Sequence, residues 1–209
     1  MKYSEIFAEQ LLFIDAVKLS PDKPFTWASG WLSPIYCDNR LTLSYPNIRA
    51  TIVDGLLEII KLHYPNVTAI AAVATAGIPH GMLVADRLNL PFVYVRNAPK
   101  SHGLSNKIEG KIDTNGNYVV IEDLISTGSS SLQSVAALRD AGCNVLGLAA
   151  LFTYQLEEAA LRFKEMKCDY FTISTYSKLI EMALNNNYIT PQHIAKLELW
   201  RAAPADWGK

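Results

Sequence analysis

Nearly continuous apolar runs alternate with amphipathic stretches along most of the chain. The apolar runs are short and rich in β-branched residues, which is typical of strands buried on both faces of a sheet. They cover residues 67–73, 91–95, 118–121, 145–152 and 170–173. Apolar residues recur at helical spacing in three stretches between these runs: after Gly77, before Gly142 and over residues 157–166. This order predicts an α/β fold with a parallel sheet of about five strands flanked by helices.

The two ends of the chain have a different pattern. Residues 4–19 and 47–63 have helical spacing, and Ser4 is a candidate N-cap of the first helix. Prolines and glycines divide residues 21–46 into turns and short extended pieces, and the chain from Ser177 onward is helical with Trp200 and Trp207 as anchors. We therefore expect a single domain over residues 1–209, with a small hood mainly at 1–46, a core at about 47–176 and a helical tail at 177–209.

Composition limits the range of functions. The 209 residues contain 19 Lys and Arg against 20 Asp and Glu, so the net charge of −1 argues against general binding to nucleic acid or anionic membranes. The 3 cysteines are scattered without a CxxC pair, which disfavours a disulfide framework and a zinc site. The N-terminus lacks the apolar region of a secretion signal, and no apolar run approaches the ~20 residues needed to span a bilayer. We expect a soluble cytoplasmic protein.

The segment at 119–130 carries the clearest candidate chemistry. An apolar strand precedes two adjacent carboxylates, Glu122 and Asp123, which suit the cis hydroxyls of a sugar or a cation. A loop rich in hydroxyl groups then opens a helix, where backbone N–H groups and the helix dipole favour phosphate. Its residues are Leu124, Ile125, Ser126, Thr127, Gly128, Ser129 and Ser130. The alternative is an ordinary turn between a strand and a helix; neither a Walker A nor a GxGxxG motif is present.

Two further segments have functional and structural interpretations. The connection at 96–117 has 22 residues without clear periodicity, and its cations suit a lid over a polyanion; the alternative is a solvated surface loop. These cations are Arg96, Lys100, His102, Lys107 and Lys111. Residues 25–40 mix aromatic and turn residues and offer Tyr36 for stacking, or else form an irregular packed segment.

Taken together, these segments resemble one family over nearly the whole chain. Residues 119–130 resemble the phosphoribosyl diphosphate (PRPP) motif of type I phosphoribosyltransferases. The SPIYCDNR sequence at 33–40 and the residues from Arg96 to Gly110 narrow the resemblance to the orotate phosphoribosyltransferases. It implies transfer of the 5-phosphoribosyl group from PRPP to orotate, giving orotidine 5′-monophosphate (OMP) and diphosphate, in pyrimidine biosynthesis. It also implies Mg²⁺ and a homodimer in which each basic loop reaches over the partner's active site.

The resemblance also implies roles for individual residues. Lys100, His102 and Asp123 would be catalytic. Arg96, Lys100 and His102 would bind the diphosphate, which the turn at 74–77 would also face, while Glu122 and Asp123 would hold the ribose hydroxyls. Residues 124–130 would surround the 5′-phosphate. Ser126 and Tyr36 would contact orotate, and no residue is assigned to Mg²⁺ because PRPP would carry the ion.

The sequence departs from some family members at cationic positions. Asn97, Ala76 and Ala28 stand where some members have lysine, and Tyr154-Gln155 stands where some have arginine. More of the diphosphate charge would then fall on Lys100, Arg96 and Mg²⁺. Two alternatives share the fold: a purine phosphoribosyltransferase, from which SPIYCDNR is not expected, and a PRPP-sensing regulator, which should carry a basic DNA-binding element.

Overall fold

The computed structural model describes residues 2–27, 30–96 and 107–208. Its N-terminal part consists of one helix, four short strands and a 3-10 helix. These are α1 (Lys2–Phe13), β1 (Val17–Leu19), β2 (Phe25–Thr26), β3 (Leu32–Ser33), β4 (Ile35–Cys37) and the 3-10 helix at Asn39–Ser44. Strand β1 pairs antiparallel with β4, and β2 pairs antiparallel with β3, so this region forms two small ribbons.

The first helix differs from its predicted bounds at both ends. It begins at Lys2, so the prediction of Ser4 as N-cap was wrong, and it ends at Phe13 rather than at residue 19. Asp15 has a left-handed backbone with φ of 56°, which a short polar side chain tolerates and a helix does not. The β-branched Val17 then pairs with Cys37 in a strand, which overrides the helical spacing of the sequence.

The central part alternates helices and strands, as predicted. Its elements are α2 (Pro46–His63), β5 (Ala69–Val73), α3 (Gly77–Leu88), β6 (Phe92–Val95), β7 (Ile108–Glu109), β8 (Asn117–Ile125), α4 (Ser129–Asp140), β9 (Asn144–Thr153), α5 (Glu157–Glu165) and β10 (Tyr170–Thr175). Six strands form one sheet in the order β10-β9-β8-β5-β6-β7. All neighbours are parallel except β7, which pairs antiparallel with β6. The five predicted parallel strands and the α/β class are confirmed.

The edge strand β7 lies inside the connection at 96–117, where no periodicity was found. Tyr94 is in register with Glu109, and the Arg96 N–H donates to the Lys107 carbonyl at 2.8 Å. The interpretation of all 22 residues as one irregular loop was therefore wrong at Ile108–Glu109, whereas residues 110–116 are irregular. A strand of two residues is too short to show a period in the sequence.

Apolar residues cover both faces of the sheet, because neighbouring strand residues point to opposite sides. Ile70, Val119 and Ile121 pack in the same cluster as Ile52 of α2 and Val84 of α3. On the other face, Ala71 and Val120 pack with Val135 of α4 and Phe163 of α5. The sheet is thus covered on both faces, and in such sheets ligands bind beyond the carboxyl ends of the strands.

Two helices complete the chain, α6 (Tyr176–Asn185) and α7 (Pro191–Ala202). Trp200 is completely buried and Trp207 packs against the same cluster, which confirms both as packing anchors. Helix α1 packs against α2, α6 and β10, so the N- and C-terminal segments meet on one face of the sheet. The division into hood, core and tail stays a prediction. Among the described residues, no helix is both long enough and apolar enough to cross a membrane.

Candidate functional site

The acid pair lies within a strand rather than after its end. Strand β8 pairs with β5 as far as Ile121, but it stays in register with β9 from Glu122 to Ile125. The expectation that the strand ends at residue 121 was therefore wrong. Beyond Ile121, the neighbour of β8 is no longer β5 but the turn at 74–77 that follows β5. A Cβ on Gly77 would lie 2.7 Å from the Ile121 carbonyl oxygen. This close approach requires glycine at position 77, and it places the turn beside the two acids. The turn contains a cis peptide at Ala74-Thr75.

Glu122 points toward the first turn of α4 and is only 4% exposed. The Ser131 hydroxyl donates to its Oε2 at 2.9 Å, the Ser130 hydroxyl at 3.4 Å, and the Asp123 N–H donates to its Oε1 at 3.1 Å. Burial, reinforced by the charge of Asp123, raises the pKa of Glu122 to about 8. Its surroundings therefore favour the protonated form of this carboxyl group more than water does.

Asp123 faces the hood, as strand alternation requires of the residue after Glu122. Its side chain is partly exposed, and burial raises its pKa, while Glu122 as a hydrogen-bond partner and the charge of Arg40 lower it. Its backbone carbonyl accepts a 2.7 Å hydrogen bond from Nδ2 of Asn39, a side chain only 1% exposed. The Cys37 thiol donates to the Asn39 Oδ1 at 3.3 Å. Asn39 thus fixes the hood against the strand that carries the acids.

A polar cavity of about 420 Å³ opens at the N-terminus of α4. It is lined by Leu124, Ser126, Thr127, Gly128, Ser129, Ser130 and Gln133. Gly128 occupies the N-cap position with a φ of 77°, and no side chain caps the helix there, so the first backbone N–H groups have no side-chain acceptor from the N-cap. The predicted loop residues are thus together, except that the side chain of Ile125 is completely buried in the core.

A second cavity, of about 490 Å³, adjoins the first and is largely aromatic. Its lining residues are Thr26, Trp27, Tyr36, Cys37, Leu124, Ser126 and Tyr154. The two cavities share Leu124 and Ser126. Tyr36 and Ser126, both predicted to contact orotate, therefore lie at one cavity, and the described residues that line it include no lysine or arginine.

The basic residues are only partly located. Arg96 follows β6 and forms an ion pair with Glu109, its Nη1 lying 3.4 Å from Oε1. Lys100, His102 and Asn97 lie outside the described residues, as does Ala28. Within the described part of the chain, no group of three or more His, Cys, Asp or Glu side chains could hold a metal ion.

Sequence reasoning missed four residues of this region. Ser131 and Asn39 support the acid pair, and Trp27 and Tyr154 line the aromatic cavity. Ser131 continues the serine run of the motif, and Asn39 is a polar residue within the SPIYCDNR segment. The sequence therefore contained a weak indication that both belong to the site region. Tyr154 had a signal only through the resemblance, because Tyr154-Gln155 stands where some family members have arginine.

Known proteins resemble this chain in sequence and in fold. The family described as Phosphoribosyl transferase domain matches residues 44–186. The orotate phosphoribosyltransferase of Cytophaga hutchinsonii is 51% identical over 209 residues, covering 100% of both chains. That of Bacillus subtilis is 50% identical over 207 residues, covering 98% of this chain and 96% of its own.

Solved structures agree with the sequence relatives. The orotate phosphoribosyltransferase of Aeropyrum pernix superimposes with a TM-score of 0.77 at 28% identity, covering 88% of this chain and 99% of that one. The UMP synthase of Leishmania donovani gives a TM-score of 0.80 at 25% identity, covering 94% of this chain and 42% of that one. With half of its residues shared over the full length, and with the acid pair and the hydroxyl-rich loop in place, this chain belongs to the orotate phosphoribosyltransferases of the phosphoribosyl transferase family.

Proposed function

We propose that this chain transfers the 5-phosphoribosyl group from PRPP to orotate, giving OMP and diphosphate, in the cytoplasmic synthesis of pyrimidine nucleotides. One observation carries the proposal: a hydroxyl-lined cavity at a helix N-terminus adjoins an aromatic cavity, and both share Leu124 and Ser126. A molecule with a phosphate at one end and a flat ring at the other suits this pair of cavities.

The ribose is held by the two carboxylic residues of β8. Asp123, partly exposed, accepts hydrogen bonds from the 2′- and 3′-hydroxyls, and Glu122 is held beside it by Ser131. The backbone N–H groups of residues 126–130 and the dipole of α4 bind the 5′-phosphate. Hydroxyl groups of Ser126, Thr127, Ser129 and Ser130 add further donors around the same phosphate.

Catalysis depends on where charge develops. As the bond between C1 and the diphosphate oxygen breaks, positive charge grows on the ribosyl ring and negative charge on the leaving diphosphate. Arg96, Lys100 and His102 stabilise the diphosphate, and Asp123 anchors the ring that the orotate nitrogen attacks. Oxygen donors such as the Asp123 carboxylate suit Mg²⁺, which when bound with PRPP adds positive charge beside the diphosphate.

A second copy of the chain completes the site in this proposal. Large apolar side chains are exposed on the 3-10 helix region, at Leu41 and Tyr45, and on the outer face of α3, at Met82 and Leu83. Both elements contact α2, which links the two exposed apolar patches through one helix. We propose that this surface pairs with its equivalent in a homodimer and that the segment at 97–106, which carries Lys100 and His102, reaches the partner's site.

One assay tests the activity directly. The absorbance of orotate should fall when PRPP and Mg²⁺ are added to the protein, while hypoxanthine, adenine and uracil should give no nucleotide product. Conversion of a purine base with orotate unchanged would show a purine phosphoribosyltransferase. Absence of any product, with PRPP binding intact, would favour a sensor.

A further inference from the structure

Trp27 lies at the aromatic cavity with its backbone and its indole ring both fixed. The Trp27 N–H donates to the Trp31 carbonyl at 2.9 Å, and its own carbonyl accepts from the Gly30 N–H at 2.8 Å, which closes the turn between β2 and β3. The indole Nε1 donates to the Ile35 carbonyl at 3.1 Å. The only polar atom of the Trp27 side chain is thus hydrogen-bonded within the protein, and the apolar ring is the part that lines the cavity.

Two further rings support Trp27 from the protein side. The Tyr154 ring lies 5.3 Å from it at 33°, and the Trp200 ring of α7 lies 5.6 Å away at 80°. Tyr154 also lines the cavity but is only 3% exposed, and Trp200 is completely buried, whereas Trp27 is half-buried and is the more accessible ring at the cavity. Distances in this range are those of favourable aromatic pairs, so Trp27 rests on a rigid aromatic base.

We propose that Trp27 contacts the pyrimidine ring of orotate directly and determines the affinity for the base, with Tyr154 and Trp200 as positioning residues behind it. The inference rests on the proposed function. Trp27, Tyr36 and Tyr154 all line this cavity, so an aromatic surface is available to the flat ring of the base. The cradle at residues 126–130 binds phosphate without help from Trp27.

Equilibrium binding of two probes separates recognition of the base from binding of the phosphate. OMP carries the base, and ribose 5-phosphate lacks it. Trp27→Leu keeps an apolar side chain but removes the flat ring. It should weaken OMP binding about fivefold or more, because the loss of base stacking on an aromatic ring has an effect of that size in alanine substitutions. Binding of ribose 5-phosphate should change less than about twofold. Trp27→Phe restores an aromatic ring and should recover most of the OMP affinity.

Trp31→Leu is the matched control, because Trp31 lies in the same hairpin and does not line the cavity. It should leave the affinity for both probes unchanged. Circular dichroism melting checks that each variant folds. In the folded wild type, OMP and not ribose 5-phosphate should quench tryptophan fluorescence, and Trp27→Phe should remove that quenching, which gives a second readout if Trp27→Leu is unstable.

The inference is overturned if Trp27→Leu binds OMP as the wild type does, or if it loses OMP and ribose 5-phosphate equally. The same holds if quenching by OMP survives in Trp27→Phe. Failure of the proposed function looks different: the wild type itself would then bind ribose 5-phosphate, reject OMP and leave orotate unconverted.

Discussion

At the scale of single residues, two adjacent carboxylic acids are given different roles by strand geometry. Glu122 is turned into the space beneath α4, where burial raises its pKa, while Asp123 faces the hood and stays partly open. Neighbouring acids on one strand thus share a site without sharing an environment. Ser131 and Asn39 hold the pair from opposite sides, through the Glu122 carboxyl group and the Asp123 backbone.

Asp123→Asn should weaken PRPP binding and turnover at least about tenfold while leaving the melting temperature nearly unchanged. The reason is that a hydrogen bond to a charged acceptor is worth about 1.5–3 kcal/mol, and the partly exposed carboxylate supports no core packing. Titration calorimetry and circular dichroism melting measure the two effects. An unfolded variant, or one with wild-type PRPP affinity, would contradict the assignment. Asp113→Asn, which removes an acid from the turn before β8, is the control.

Glu122→Gln should change how stability depends on pH. Native Glu122 keeps its proton up to a pKa of about 8, whereas the unfolded chain releases it near the ordinary glutamate pKa of 4.5. Between these values the unfolded state binds fewer protons, so the wild type loses stability as pH rises. Glutamine does not titrate, so the stability of the variant relative to wild type should increase from pH 5 to pH 8.

Urea denaturation at pH 5, 6, 7 and 8 measures this slope. Glu158→Gln serves as the control, because it removes a surface carboxylate that is 44% exposed and paired with Arg162. A relative stability of the Glu122 variant that stays flat or decreases with pH would show that this carboxyl group is ionised in the folded protein.

At the scale of elements, α4 has a glycine with a left-handed backbone at each end. Gly128 begins the helix with a φ of 77° and lines the polar cavity, and Gly142 follows the helix with a φ of 85°. The Gly142 N–H donates to the Arg139 carbonyl at 2.9 Å, as expected of a glycine just after a helix C-terminus. The two glycines therefore have the same conformation, but only Gly128 belongs to the site.

Substitution of each glycine by alanine separates conformational strain from ligand binding. Both changes should cost about 1–2 kcal/mol of stability, because a Cβ is unfavourable at positive φ. Gly128→Ala should cost more, since its Cβ would lie 2.8 Å from the Phe163 ring, and it should also weaken binding of ribose 5-phosphate at least about tenfold. Gly142→Ala, whose nearest contact is Thr114 at 3.4 Å, should bind ribose 5-phosphate normally. Equal affinities of the two variants would place the phosphate elsewhere.

At the scale of the whole molecule, each site of the proposed dimer would be formed by residues of both chains. The 3-10 helix region and α3, which both carry exposed apolar side chains, each contact α2. In a two-fold dimer one surface meets its own copy, so each site would receive the same segment from its partner. The acid pair and the basic segment would then belong to different chains at every site.

Mixing inactive Lys100→Ala and Asp123→Asn chains should therefore restore activity. In a mixed dimer one site receives both defects, and the other combines an intact basic segment with an intact acid pair. Random exchange should recover about a quarter of the wild-type activity, because about half of the dimers are mixed and each has one intact site. Sedimentation analysis must show that subunits exchange. Exchange without recovered activity would place Lys100 in the site of its own chain.

Local patterns were sufficient to predict the layers of the fold and the centre of the site. Five apolar runs correspond to five parallel strands, because strands buried on both faces must be apolar throughout. The acid pair and the loop at 124–130 are contiguous in sequence, so their spacing alone identified the candidate site. Strand β7 and the end of α1 were missed, because pairing with a distant strand and the backbone of Asp15 decide them.

The aromatic cavity, by contrast, exists only in the folded chain. Trp27, Tyr154 and Trp200 come from a hairpin, the residue after a strand and the last helix, and no local pattern relates them. The pKa of Glu122 is likewise set by burial and by donors from α4, which the strand sequence does not contain. Sequence determined the five parallel strands and the hydroxyl-rich loop at 124–130, because those features depend on neighbours along the chain. Tertiary structure decided the aromatic cavity and the surroundings of the two acids, because both depend on contacts between elements that no local pattern relates.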